Sequence, residues 1–168
     1  MARLPYPDEE GLSPELRDRI AEEISSTRGI SVTGDNVVVT PGGKPIMFFV
    51  ILALVDQGDE VLYPNPGFPI YESMIEFVGG VAVPMQLHES MGFNLDVDQV
   101  AESITERTKL MIVNSPNNPS GVVYPTEALA ALGDLIRRKE TRHGSEIFII
   151  SDEPYRRVIY DGLTYPQV

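Results

Sequence analysis

Four short stretches carry residue types that do chemistry at spacings that would place them together. They are "TPGGK" (Thr40 to Lys44), "NPGFPIY" (Asn65 to Tyr71), "VNSPNNPSG" (Val113 to Gly121) and "SDEPY" (Ser151 to Tyr155). In the first, Gly42 and Gly43 let backbone N–H groups approach an anion, and a helix starting there adds a favourable dipole. The same pair also makes a plain tight turn. In the second, the Phe68 ring is placed either to stack on a flat ligand or to cover the edge of a core. The third stretch either stops a strand or holds a ligand. In the fourth, Asp152 ends an apolar run, where a carboxylate is costly to bury without a partner. A cationic ring nitrogen is one such partner, and a helix N-cap is the other. Tyr155, three residues on, is in reach of the same ligand.

Other candidates are weaker. His88 and His143 stand far apart in polar surroundings, and "PDEEG" (Pro7 to Gly11) reads as a solvated turn. The sequence has no zinc-ligand spacing, no P-loop and no nucleophile elbow. It has no cysteine, which excludes disulfides and thiolate chemistry.

Composition bounds the partners. The chain has 168 residues, 42% hydrophobic and 23% charged, enough for one domain with a sizeable core. A formal net charge of -12 argues against nucleic acid or an anionic membrane as partner, since both require clustered positive charge. An anion would have to be held by a local device such as a helix N-terminus. "IMFFVILALV" (Ile46 to Val55) is too short to span a bilayer, which takes about 20 residues. "MARLPYPDEEGL" lacks the apolar core of a signal peptide. A soluble, cytoplasmic protein is the expectation.

The elements that must position these stretches alternate between two periodicities. Ser13 precedes Pro14, and Leu16, Ile20 and Ile24 recur every four residues, which predicts a capped amphipathic helix over 13–25. Further helices are predicted over 44–55, 69–78, 96–104 and 125–140. Strands are predicted over 36–40, 60–64, 81–85, 109–114 and 146–153. Pro84 suggests an edge or a strand end. Short apolar strands between helices predict an α/β fold of three layers, a mostly parallel sheet with helices on both faces. Ligands of such sheets bind beyond the carboxyl ends of the strands, where all four stretches fall.

In this order, the segments resemble the class I/II aminotransferases, fold-type-I pyridoxal-phosphate enzymes. The resemblance runs from "LPYPDEEGLSPELRDRIAEEI" through "VVVTPGGKPIMFFVILALVDQGDEVLYPNPGFPIYESMIEFVGG" to "VNSPNNPSGVVYP" and "IISDEPYRRVIYDG". It implies the cofactor pyridoxal 5′-phosphate and transfer of an amino group between an amino acid and a 2-oxo acid. It also implies roles. Gly42, Gly43 and Lys44 fall where the family holds the cofactor phosphate, and Phe68 where a ring stacks on the pyridine. Asn118 and Tyr155 fall where donors reach the phenolic oxygen, and Asp152 where a carboxylate pairs with the pyridine nitrogen. Tyr6 resembles a tyrosine that reaches the phosphate of the neighbouring subunit's cofactor, although the segment after Gly11 carries one extra residue relative to the usual pattern. Residues 1–35 would lead into the large domain and 36–168 would form part of it. A carbon–sulfur lyase on the same fold, or a non-catalytic α/β piece, is the alternative.

The family also uses a Schiff-base lysine some tens of residues beyond the tyrosine of "SDEPY", and an arginine for the substrate carboxylate further on. Lys44, Lys109 and Lys139 are the lysines of this sequence, and none has that context. The expectation is therefore the central part of an aminotransferase, inactive by itself. The family's first strand pairs with its last, so "NVVVT" would lack its neighbour. Open strand edges invite partners, here a homodimer or a companion chain.

Overall fold

Ser13 caps the first helix as its sequence predicts: its Oγ accepts from the Leu16 N–H at 3.4 Å, and Pro14 opens α1 (Pro14–Arg28). Gly29, in the left-handed region at φ 67°, closes it. The structure, a computed structural model, describes residues 13–166. It comprises two units, Met1–Ile46 and Met47–Val168. The first holds α1, a single 3₁₀ turn at Gly34–Asn36 and the start of α2 (Gly43–Leu54).

One predicted element is absent. Val37 to Thr40 form no strand, and Val38 and Val39 are 73% and 52% exposed. β-branched residues favour a pleated surface only when a neighbouring strand supplies the hydrogen bonds. Among the described residues no strand pairs with this segment.

The second unit contains β1 (Glu60–Asn65), α3 (Ile70–Phe77), β2 (Val81–Gln86), α4 (Val97–Ser103), β3 (Thr108–Asn114), α5 (Thr126–His143) and β4 (Phe148–Asp152). The described strands form one fully parallel sheet in the order β2-β1-β3-β4. β2 is an edge, as Pro84 suggests. The N–H groups of Val81 and Leu87 donate to Asp59 and Asn65 of the β1 segment. Alternation then turns the position of Pro84 outward, where its missing N–H costs no ladder bond.

Period-two alternation divides the sheet residues between two cores. Val61, Tyr63, Leu110 and Ile112 pack with Met47 and Ile51 of α2 and with Tyr71 and Ile75 of α3. Leu62, Met111 and Val113 pack on the other face with Val100 of α4 and with Leu132, Leu135 and Ile136 of α5. Ile51, Val61, Ile75 and Leu110 are wholly buried, each contributing about 1.5–3 kcal/mol of apolar burial. Three layers result, as the sequence predicts.

The amino end of the sheet is held by polar pairs. Buried Glu60 receives Arg107 Nη2 and Thr105 Oγ1, both at 2.6 Å. Lys139 of α5 donates to the carbonyls of Ala101 and Ile104 at 2.6 and 3.2 Å, which terminates α4. Lys109 Nζ lies 5.1 Å from the Phe148 ring centroid.

The connections reverse direction in the middle. From β1 the chain moves outward to β2, and from β3 it moves the other way to β4. The carboxyl ends of β1 and β3 thus flank the switch point, where open α/β sheets place their ligands.

Candidate functional site

Three strand ends converge on Asp152. It is the last residue of β4 and stands in register with Asn114, the last residue of β3. Its half-buried carboxylate accepts from the phenol of Tyr71, with Oη to Oδ2 at 2.5 Å. Tyr71 lies in the first turn of α3 and is wholly buried. One turn earlier, the Phe68 ring meets the Tyr71 ring edge-on at 5.9 Å. The β1–α3 loop that carries Phe68 is tight because Gly67 packs directly on the Pro64 carbonyl.

Burial dominates the electrostatics. Desolvation pushes the Asp152 carboxyl above the ordinary carboxylate range, with a smaller upward push from Glu153, while the Tyr71 hydrogen bond pulls it down. The Tyr71 phenol is raised well above its ordinary value, by burial first and then by Asp152. It therefore stays protonated and donates. Among the described residues, Tyr71 is the only side chain that donates to this carboxylate.

That bond has a measurable weight. Tyr71→Phe leaves Asp152 without its donor, and a hydrogen bond to a charged group contributes about 1.5–3 kcal/mol. Urea unfolding at neutral pH should show a loss of that size, and the Asp152 carboxyl carbon should titrate still higher by NMR. Because its native value lies above the unfolded one, Asp152 favours folding at low pH and less so as pH rises through the native value. The penalty of Tyr71→Phe should accordingly shrink on acidification.

Asparagines join β4 to the loop after β3. Asn114 is 1% exposed, and its Nδ2 donates to the Asp152 carbonyl at 2.9 Å. Its Oδ1 accepts from the Asn118 N–H at 2.8 Å. Asn117 Oδ1 accepts from Ser120 N at 3.1 Å and Ser120 Oγ at 2.7 Å, which closes the turn. The carboxamide of Asn118 and the hydroxyl of Tyr155 bond to no other described residue. Both line a cavity of about 280 Å³ with Pro116, Pro119, Val158 and Tyr160. The Tyr124 hydroxyl is also buried without a partner among the described residues.

The second unit thus brings Phe68, Asn118, Asp152 and Tyr155 onto neighbouring strand ends. Gly42, Gly43 and Lys44 belong to the first unit. Gly42 has φ 101°, a conformation for glycine, and Gly43 begins α2, so Gly43 and Lys44 contribute N–H groups of its first turn. Tyr6 lies outside the described residues. Sequence reasoning passed over Tyr71 and Asn114. Tyr71 stands three residues after Phe68, just inside the helix predicted over 69–78, near enough in sequence for the two rings to meet. Asn114 is a polar residue closing a buried apolar strand, the same signal that marked Asp152.

This donor set suits a flat, cationic ring with a neighbouring oxygen. A desolvated carboxylate lies at one point, an aromatic ring is linked to it through Tyr71, and two uncommitted donors share a cavity beyond it.

The chain matches the family described as aminotransferase class I and II over residues 2–168. It is 42% identical over 149 residues to the aspartate/prephenate aminotransferase of Thermus thermophilus, covering 89% of this chain and 37% of that protein. To the probable aspartate aminotransferase of Methanocaldococcus jannaschii it is 40% identical over 152 residues, 90% of this chain and 38% of the relative. Among solved structures, the Thermus thermophilus aspartate aminotransferase with maleate superposes with a TM-score of 0.81 at 41% identity, over 90% of this chain and 38% of that one. An alanine aminotransferase from Pyrococcus furiosus gives 0.83 at 35% identity, over 96% and 39%. The chain spans under two fifths of the length of these relatives. With its parallel sheet, its strand-end motifs and this match along almost its whole length, the chain belongs to the aminotransferase class I and II family.

Proposed function

We propose that this chain is the cofactor-holding part of a pyridoxal 5′-phosphate enzyme that transfers an amino group between an amino acid and a 2-oxo acid. The observation that carries the reading is the desolvated Asp152 carboxylate at the carboxyl end of β4, held by Tyr71 of α3 and tied through Asn114 to Asn118. When bound, the cofactor supplies an electron sink for the amino acid's Cα. Asp152 holds a proton on the ring nitrogen, the charge state that a sink requires. Asn118 and Tyr155 donate to the phenolic oxygen. Phe68 fixes the plane of the ring. Gly42, Gly43 and Lys44 hold the phosphate at the start of α2, a local anion site on an acidic chain. Tyr6 belongs to the phosphate site of a neighbouring subunit, which makes a homodimer or companion chain part of the reading.

In this proposal residues 1–35 lead into a partial large domain, 36–168, and the protein works in the cytoplasm. No helix among the described residues is long and apolar enough to cross a membrane. The amino donor is aspartate-like, a choice supported by relatives named as aspartate aminotransferases.

By itself the chain binds the cofactor without a covalent bond and does not turn over. Lys139 is engaged at the end of α4. Lys109 is the second residue of β3, five residues and roughly 16 Å along the strand from Asn114. Equilibrium dialysis should detect pyridoxal phosphate binding that Asp152→Asn weakens, and borohydride treatment should leave the intact mass unchanged. A stoichiometric reduced adduct on Lys44, Lys109 or Lys139 would overturn the non-covalent assignment. Absence of any binding would overturn the cofactor assignment.

A further inference from the structure

We infer that Asn114 is a positioning residue that couples the two arms of the site, setting Asn118 against Asp152. The inference deepens the proposed cofactor reading and rests on it for its functional consequence, although the coupling itself is a property of the polypeptide.

Parallel pairing of β3 and β4 ends at the register pair Asn114 and Asp152. Beyond a last rung, the strand-end carbonyl and the N–H groups of the following loop have no ladder partners, and buried backbone groups must be satisfied. A single carboxamide meets both needs here. Its amide side takes the Asp152 carbonyl at 2.9 Å, and its oxygen takes the Asn118 N–H at 2.8 Å. Asn117 Nδ2 lies 3.5 Å from the same oxygen. The two ends are chemically distinct, so their orientation follows from the partners: a carbonyl requires the NH₂, and an N–H requires the oxygen.

Few other side chains satisfy this geometry. Aspartate keeps the acceptor for Asn118 but sets an oxygen against the Asp152 carbonyl. Serine is too short to reach both partners, and alanine reaches neither. The carboxamide is 1% exposed, so water does not substitute freely for a lost bond. Asn114 touches no ligand cavity lined by Asn118 and Tyr155. Its influence on the site therefore passes through the backbone of its two partners.

Amide hydrogen exchange on the 168-residue chain tests the coupling without cofactor. In Asn114→Ala the Asn118 N–H should exchange about tenfold faster or more, while Val61 and Val83 in β1 and β2 keep their rates. In Asn114→Asp, the Asn118 N–H should stay protected while the Asp152 carbonyl carbon shifts. A purely structural role would instead raise exchange in both variants across the whole sheet, and that result would overturn the inference. So would an Asn118 rate unchanged in Asn114→Ala. If Asn114→Ala does not fold, the selective pattern in Asn114→Asp decides.

A double-mutant cycle then reads the functional arm by equilibrium dialysis with pyridoxal phosphate. Asn118→Ala and Asn114→Ala should each weaken binding about tenfold, and the double variant should be no weaker than the worse single one. Multiplicative losses would show that Asn114 does not act through Asn118. If the unaltered chain binds no pyridoxal phosphate, the cofactor reading fails while the exchange result still stands on its own.

Discussion

Asp152→Asn should lower the affinity of the chain for pyridoxal phosphate about ten- to hundredfold and, in the same protein, raise its stability by about 1 kcal/mol. The opposite signs follow from one cause. Burial pushes the carboxyl above its ordinary pKa, so an ionised Asp152 is disfavoured by its own surroundings. Asparagine has the same shape and still accepts from Tyr71, so the hydrogen bond at 2.5 Å survives while the charge goes. What would disappear, in the proposed role, is the ion pair with a protonated ring nitrogen. The pH profile supplies a second check. Asp152 is ionised only above its raised value, so binding should weaken as pH falls through it, and that contribution should be missing in Asp152→Asn. Dialysis across pH measures the first effect and urea midpoints the second. Equal affinity of the two proteins at neutral pH would sink the assigned role. The pattern is the usual trade between a strained functional group and the stability of its host.

Gly67→Ala should destabilise the second unit by about 2–3 kcal/mol and disturb the site without touching a polar group. A methyl group at Gly67 would lie 2.0 Å from the Pro64 carbonyl oxygen and 3.1 Å from its carbon. Neither atom belongs to a flexible side chain. Pro64 sits in the β1 ladder beside Met85, so the loop must yield instead, and Phe68 moves with it. Its edge-on contact with Tyr71 is the part most exposed to that shift. Near-ultraviolet circular dichroism reports the ring environment, and thermal unfolding reports the cost. Gly42→Ala provides the contrast: a methyl there meets nothing within 4 Å, and only its φ of 101° is penalised, by about 1–2 kcal/mol. A Gly67→Ala protein as stable as the parent would mean that the loop is looser than the structure shows.

Much of this architecture was legible from local rules. Ser13 with Pro14 is an N-terminal signal whose bond is present in the structure. The strand ends carrying Phe68, Asn118 and Asp152 were found because polar or aromatic residues at the close of an apolar run need a reason. Two readings fell short. "NVVVT" has the composition of a strand and is expected to form one even without its family neighbour, but a strand forms only where a neighbour pairs with it, and composition carries no information about that. Tyr71 and Asn114 were missed for a related reason. Their importance lies in which atoms they touch 81 and 38 residues away, and only the folded chain brings those atoms together. The resemblance supplied roles for the outermost groups, whereas the structure supplied what holds them.

Among the described residues, β4 is a five-residue strand paired with β3 alone, and Phe148 and Ile149 on it are 37% and 43% exposed. Short rim strands open at lower free energy than central ones. Asp152 ends this strand and Tyr155 follows it, so a brief detachment removes both at once while Phe68 and Asn118 stay on better-supported strands. Occupancy of the site and closure of the rim are then linked equilibria: a ligand that requires both residues raises the population of the closed rim by the factor 1 + [L]/Kd. The end of β4 is thereby the part of the sheet that a bound ligand would steady most.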